Sequence, residues 1–249
     1  MEVKKYALYL LLLIAAASCV PKKKIVYLQG TAGGNSAASF EPIIQPDDML
    51  YINVTSQNED AVQAFNVAIE KQMNSVASNR FSYLVDKDGN IDFPVLGVLK
   101  AGGLTRTEFV EMLKTRLKTY VSDPVVNLRF LNFKVTMLGE VASPGRINVD
   151  GDRLTLLDAI AQSGDLTLFG MRDNILIVRE NNGEKTFNRV DITKADFVNS
   201  PFYYLKQNDV VYIEPRRAKV DSTAIGGNVT TILSIVSFLI TTTLILTRL

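Results

Sequence analysis

From Ser222 to Thr247 the chain carries no charged residue, while Arg216, Arg217 and Lys219 precede the run and Arg248 closes it. A stretch of this length cannot supply the charged outer face of a helix on a small globular domain. As a helix, residues 229–246 measure ~27 Å at 1.5 Å per residue, which suffices for a thin bilayer such as the bacterial outer membrane. Gly226 and Gly227 before it read as a hinge. The expectation for residues 218–249 is therefore a hinge and a C-terminal transmembrane amphipathic helix.

The other end carries a processing signal. Lys4 and Lys5 precede an apolar run over residues 7–17, and Ala16, Ala17 and Ser18 stand directly before Cys19. The run is short for a span and of the right length for a secretory segment. Cys19 is the only cysteine, so no intramolecular disulfide is possible. After a small-residue triplet it reads as the lipid-acceptor cysteine of a bacterial lipoprotein. An incidental cysteine beside an ordinary cleavage site is the alternative. Residues 1–18 are then a lipoprotein signal peptide, and Val20, where an inner-membrane protein would carry aspartate, favours the outer membrane. Residues 19–39, with Lys22, Lys23, Lys24 and then Gly33, Gly34, Asn35 and Ser36, read as a lipidated flexible tether that does not pack. Removing Lys4, Lys5 and Glu2 from 27 basic and 26 acidic residues leaves the two signs equal. No electrostatic argument then points to nucleic acid.

Between the ends the pattern is α+β, in two small domains. In the first, residues 40–131, Leu50, Ile52 and Val54 alternate with Tyr51 and Asn53 as in a strand. Val62, Phe65, Ile69 and Met73 predict a helix within residues 59–76. Residues 81–85 and 91–95 read as the arms of a hairpin, with Asp88-Gly89 supplying its positive-φ turn. A calcium loop does not fit there, because it would place Leu84 and Val95 at the first and last ligand positions. Thr105 and Glu108 form a capping box for a helix bearing Phe109, Val110, Met112, Leu113 and Leu117. Alternation returns over residues 125–130, after Asp123-Pro124.

In the second domain, residues 132–217, a strand over 135–141 leads to Pro144-Gly145, read as the centre of a type II turn, and to a partner strand over 146–149. Thr155 and Asp158 form another capping box, and its helix ends with Gly164 at C′. Further strands over 175–179 and 210–214, closed by Pro215, give a β-grasp-like α+β pattern.

No catalytic constellation is visible. The chain has no histidine, which removes the commonest general base and metal ligand. The acidic pairs Asp47-Asp48, Asp86/Asp88, Asp150/Asp152 and Asp158/Asp165 each lie beside a turn or cap, the usual work of short acidic residues. There is no phosphate-binding glycine loop and no zinc spacing. The reading is a non-enzyme with no catalytic residue, metal or cofactor.

As an ordered series these segments resemble the bacterial outer-membrane polysaccharide (capsule and exopolysaccharide) export proteins. Gln45-Pro46-Asp47-Asp48-Met49-Leu50, Val85-Asp86-Lys87-Asp88-Gly89-Asn90-Ile91, Phe93-Pro94-Val95-Leu96-Gly97, Gly103-Leu104-Thr105 and Asp123-Pro124 resemble the family's export domain. Leu138-Gly139-Glu140-Val141, Pro144-Gly145, residues 155–160, Gly164 and Asn208-Asp209-Val210-Val211-Tyr212 resemble the soluble-ligand-binding β-grasp (SLBB) domain that follows it. Gln45 stands where glycine is common, and one β-grasp domain is present where long members have more. The resemblance implies a homo-oligomeric ring in the outer membrane that conducts an exported polysaccharide, with an inner-membrane polysaccharide co-polymerase as a further partner. It also implies that C-terminal helices line a pore. At 100° per residue Thr230, Ser234, Ser237, Thr241 and Arg248 fall within about 60° of one another, opposite Ile232, Ile235, Leu239 and Leu246. Those four hydroxyl residues are the candidate pore lining, although such residues also mediate helix packing in membranes. Two rival readings are a periplasmic saccharide-binding lipoprotein with a simple C-terminal anchor, and an enzyme acting on the polymer.

Overall fold

The computed structural model describes residues 25–33, 41–66, 82–181, 183–219, 234–238 and 240–242. Within them the chain forms two β-rich domains in series. In β1 (Met49–Thr55) Leu50, Ile52 and Val54 point inward and are buried, as a period of two requires. The helix expected over 59–76 is described only as α1 (Glu59–Gln63), with Val62 and Phe65 buried; Ile69 and Met73 lie outside the described residues. β1 is the middle strand of an antiparallel sheet, between β2 (Ser82–Leu84) and, further along the chain, a strand over 125–130.

The hairpin expected about Asp88-Gly89 is not formed. Its turn exists, with the Asn90 amide donating to Asp86 Oδ1 at 2.7 Å and Gly89 at φ +78°. The flanking strands part, however: β2 joins β1, while β3 (Asn90–Phe93) pairs with β4 (Gly97–Lys100). Pro94 cannot donate to a ladder, and Val95 and Gly97 at φ +67° and +71° turn the chain back there. A Cβ on Gly102 would lie 2.7 Å from Gly89 Cα, so the earlier turn is pinned against the residues after β4.

α2 (Arg106–Leu117) begins at the expected capping box: Thr105 Oγ1 accepts from the Glu108 amide at 3.2 Å, and the Glu108 carboxylate accepts from the Thr105 amide at 2.8 Å. Phe109, Leu113 and Leu117, spaced by four, are fully buried in the first core, together with Val126 and Leu128 of β5 (Val125–Phe130). Full burial of each such side chain contributes about 1.5–3 kcal/mol.

The second domain contains β6 (Lys134–Gly139), β7 (Gly145–Asn148), β8 (Leu154–Thr155), α3 (Leu156–Gln162), β9 (Gly170–Asn181), β10 (Glu184–Val190), β11 (Tyr204–Leu205) and β12 (Val210–Pro215). Its main sheet runs β10-β9-β12-β6-β7, with β12 and β6 parallel and every other pair antiparallel. First and last strands thus meet at the centre of a mixed sheet, with α3 packed against β6 as in a β-grasp. α3 starts at the Thr155–Asp158 box and ends in a Schellman motif, in which the Asp165 amide reaches Ile160 O and the Gly164 amide reaches Ala161 O, both at 3.0 Å. Gly139, at φ +87°, has no room for a side chain, since a Cβ would fall 2.1 Å from Ile213 O.

Two expectations are corrected here. Gly145 at φ +159° opens β7 and pairs with Met137, far from the φ of about +80° that a type II turn needs. The tether is also not loose throughout. The Leu28 amide donates to Ile192 O at 3.0 Å, the Ala195 amide to Gln29 O at 2.9 Å, and Tyr27 packs on the second core. Ile25-Val26-Tyr27-Leu28 is an apolar, β-prone run inside the proposed spacer, and it docks.

At the C-terminus, residues 234–238 and 240–242 are helical. No helix among the described residues is long and apolar enough to cross a membrane. Most of the span expected over residues 229–246 lies outside the described residues.

Candidate functional site

The two domains meet at a pair of like turns. Gln45-Pro46-Asp47-Asp48 leads into β1, and Lys206-Gln207-Asn208-Asp209 leads into β12. In each, the fourth residue's carboxylate accepts from the first residue's amide at 2.8 Å. The fourth residue's amide returns to the first residue's carbonyl, at 3.2 and 3.1 Å. The third residue is left-handed, at φ +66° for Asp47 and +63° for Asn208, a conformation Asp and Asn tolerate better than other side chains.

The linker is clamped between these turns. Asn132 Oδ1 accepts from the Met49 amide at 2.9 Å, and Asn132 Nδ2 donates to Asp47 O at 2.8 Å. From the other side, Gln207 Nε2 donates to Asn132 O and Gln207 Oε1 accepts from the Lys134 amide, both at 2.8 Å. An Arg106–Asp152 ion pair at 3.1 Å adds a second tie between the domains. A small open cleft beside the joint is lined in part by Ile43, Asp48, Phe130, Phe133 and Lys206. Asp48 is only 1% exposed, and burial, helped by neighbouring Asp47, pushes its carboxyl up to about 6. Burial, then the nearby Arg179, lowers the Lys206 ammonium. A mostly apolar cleft whose carboxylate already holds a backbone amide suits a stiff joint better than acid–base chemistry.

A second assembly lies where the chain ends leave the second domain. Both converge on the loop over residues 165–170. From the N-terminal side, the Tyr27 hydroxyl donates to Asp165 Oδ1, and the Arg172 guanidinium lies 5.3 Å from the Tyr27 ring centroid. Burial, then this bond to Asp165, pushes the Tyr27 hydroxyl up to about 12. From the C-terminal side, Lys219 pairs with Glu140, whose other oxygen accepts from Thr167 Oγ1 at 2.7 Å. The Lys219 bond, then that of Thr167, holds the Glu140 carboxyl below its usual value. Arg172 braces the loop from within, reaching Thr167 O, Gly170 O and Leu166 O at 3.1–3.2 Å.

Residues 36–131 match the family described as polysaccharide biosynthesis/export protein, and residues 134–187 match the SLBB domain, in that order. The chain therefore carries, in order, a region matching the polysaccharide biosynthesis/export family and a region matching the SLBB domain. It is similar to the EPS I polysaccharide export outer membrane protein EpsA of Ralstonia solanacearum, 28% identical over 137 residues. The protein of the same name in Ralstonia nicotianae is 28% identical over 138 residues. Each match covers 54% of this chain and 36% of the relative, so the chain spans only about a third of these curated relatives.

Within this fold, at least one member of each acidic pair does structural work, Asp48 by closing the turn before β1. Asp86 closes a turn, Asp158 caps α3, Asp152 pairs with Arg106, and Asp165 receives Tyr27. Among the described residues no three potential metal ligands cluster. Cys19 and Thr230 lie outside the described residues. Ser234, Ser237 and Thr241 are helical and exposed, and Thr241 Oγ1 donates to Ser237 O at 2.8 Å, which places these two on one helical face. Sequence reasoning missed the joint of Asn132 and Gln207. The repeated pattern of a turn ending in Asp before an alternating run was its available signal.

Proposed function

We propose that the chain is an outer-membrane lipoprotein and the protomer of a homo-oligomeric conduit that exports capsular or extracellular polysaccharide, with no enzymatic step of its own. The observation that carries this reading is the convergence of two segments, at Tyr27 and at Arg216 to Lys219, on one loop of the SLBB domain. Ile25 already lies beside that domain, and Cys19 is six residues upstream, a reach of at most ~20 Å. A lipid on Cys19 therefore holds the SLBB domain close to the membrane. The Glu140–Lys219 pair holds the chain at the same place, three residues before the uncharged run begins. The names of the similar proteins, export proteins of the outer membrane, support the cargo and the compartment.

In this reading the clamped joint keeps export and SLBB domains in one orientation, as repeated packing around a ring requires. C-terminal helices assemble side by side, with Thr230, Ser234, Ser237 and Thr241 facing a wet lumen and Ile235 and Leu239 facing lipid. The chain supplies a passage, and the drive comes from polymer synthesis or an inner-membrane co-polymerase.

The test is a deletion strain complemented with variants carrying single cysteines in a Cys19→Ala background whose signal peptide is replaced by a non-lipoprotein one. Exported polymer should disappear on deletion. A membrane-impermeant thiol reagent should label cysteines replacing Ser234 and Ser237 and spare those replacing Ile235 and Leu239. Equal protection of both faces removes the pore, and undiminished export on deletion removes the function.

A further inference from the structure

We propose that the turn at residues 167–170 inserts Leu168 and Phe169 into the lipid surface, so that the SLBB domain itself contacts the bilayer. The proposal rests on the membrane-lipoprotein reading above. It adds a third contact, made by the folded domain, to the anchors expected at the chain's ends.

The turn is closed, its Gly170 amide donating to Thr167 O at 3.1 Å, and Leu168 and Phe169 are its two central residues. Such positions usually hold glycine, proline, asparagine, aspartate or serine. Here a leucine 74% exposed and a phenylalanine 44% exposed stand side by side in water. Scattered exposed apolar residues need no explanation, but an adjacent pair at the tip of a turn marks an interaction site.

The turn is also stiff. Arg172 holds three of the loop's carbonyls, the Phe169 amide donates to Thr167 Oγ1 at 3.2 Å, and the Thr167 amide donates to Glu140 O at 3.0 Å. A braced turn holds its two apolar side chains outward with little ordering still to be done on insertion.

The partner is fixed by what surrounds the tip. Tyr27, eight residues and at most ~29 Å of chain from Cys19, reaches the loop at Asp165. The segment that follows β12 touches the tip itself, since the Arg216 amide donates to Phe169 O at 2.8 Å. From Lys219 it is ten residues to Val229, where the expected span begins, a reach of at most ~35 Å. Arg216, whose amide meets Phe169, and the exposed Arg217 that follows it put basic side chains at the base of the tip, while Lys219 is paired with Glu140. Apolar side chains flanked by basic ones match the acyl boundary and anionic headgroups of a lipid leaflet.

The chain contains no tryptophan, so F169W introduces a single tryptophan at the tip, which can be excited apart from the nine tyrosines. L168W provides a second position, and F187W, at an exposed site on β10 of the same domain, serves as the comparator. The full lipidated chain is reconstituted into phosphatidylethanolamine–phosphatidylglycerol vesicles, with and without bromine-labelled acyl chains. F169W and L168W should emit to the blue of F187W and lose most of their emission to brominated lipid, while F187W stays open to aqueous iodide. If the protein floats with vesicles but F169W and L168W behave like F187W, the turn does not touch lipid and the proposal fails. A blue-shifted emission that brominated lipid leaves intact means that protein covers the tip, either a second copy or residues beyond 219, and this also overturns it. Failure of the chain to float with vesicles at all refutes the membrane-lipoprotein reading instead.

Discussion

The turn before β1 and the turn before β12 share a backbone but treat their buried carboxylates differently. Asp209 is met by Arg179, whose Nε and Nη2 donate to its two oxygens at 2.9 and 2.6 Å and whose guanidinium lies 5.0 Å from the Phe202 ring centroid. Asp48 in the same role accepts from the Gln45 amide and has no ion-pair partner among the described residues, and burial raises its carboxyl to about 6. A hydrogen-bonding turn therefore specifies a local backbone without specifying how its charge is balanced. The second domain balances it from a distant strand, β9, and the first does not.

The largest expected effect comes from breaking the balanced case. Arg179→Leu leaves Asp209 buried without its partner and should destabilise the second domain by about 3–5 kcal/mol, seen as a lower urea midpoint. A loss below about 1 kcal/mol would mean that water reaches Asp209 and that the two turns do not differ.

Asp48→Asn should act in the opposite direction, and only at some pH values. With its folded value raised from 3.8 to about 6, Asp48 is protonated in both states at low pH. Between about pH 4 and 6 the unfolded chain releases the proton while the folded chain keeps it, so wild-type stability falls as pH rises. A carboxamide at this position has no such titration, so the substitution's advantage over wild type should grow across that window, to at most about 3 kcal/mol above it. Urea unfolding at pH 4 and pH 7.5 measures the difference. A pH-independent gap would place Asp48 in water.

Asn132→Ala and Gln207→Ala each remove two hydrogen bonds from the linker, one set on each turn, and each should cost about 1–2 kcal/mol. Because both sets of bonds converge on Asn132, the double variant should lose less than the sum of the two. Strict additivity would show that the joint is two separate fastenings and not one clamp.

Local chemistry made much of this legible in the sequence. Both capping boxes, the β1 alternation and the Gly164 helix end follow from side chains within a few residues of their partners. What was not legible depends on distant pairing. β3 and β4 pair across Pro94 and Val95, and nothing local to Asp88-Gly89 indicates that β2 will prefer β1. The docking of Tyr27 depends on Arg172 and Asp165, more than a hundred residues away. The joint was half legible: Asp47-Asp48 was visible beside a turn and Asn208-Asp209 only as the lead into the last strand, and their shared hold on Asn132 exists only once the two domains are side by side.

The smallest effect is the most discriminating, because it makes one turn resemble the other. Asp47→Asn gives the first turn the asparagine–aspartate order of Asn208-Asp209. Both residue types tolerate the left-handed conformation at this position, so the backbone should not move. What changes is the like charge beside Asp48, worth about half a kcal/mol or less near the surface. Removing it should lower the Asp48 titration midpoint, followed by carboxyl carbon NMR, by a fraction of a unit and leave it above the ordinary aspartate value. Burial is the larger cause of the raised value and remains in place. A midpoint that drops all the way to the ordinary value would make Asp47 the main cause. The contrast between the turns would then lie in one neighbouring charge, and Arg179 in the second domain would no longer be the reason they differ.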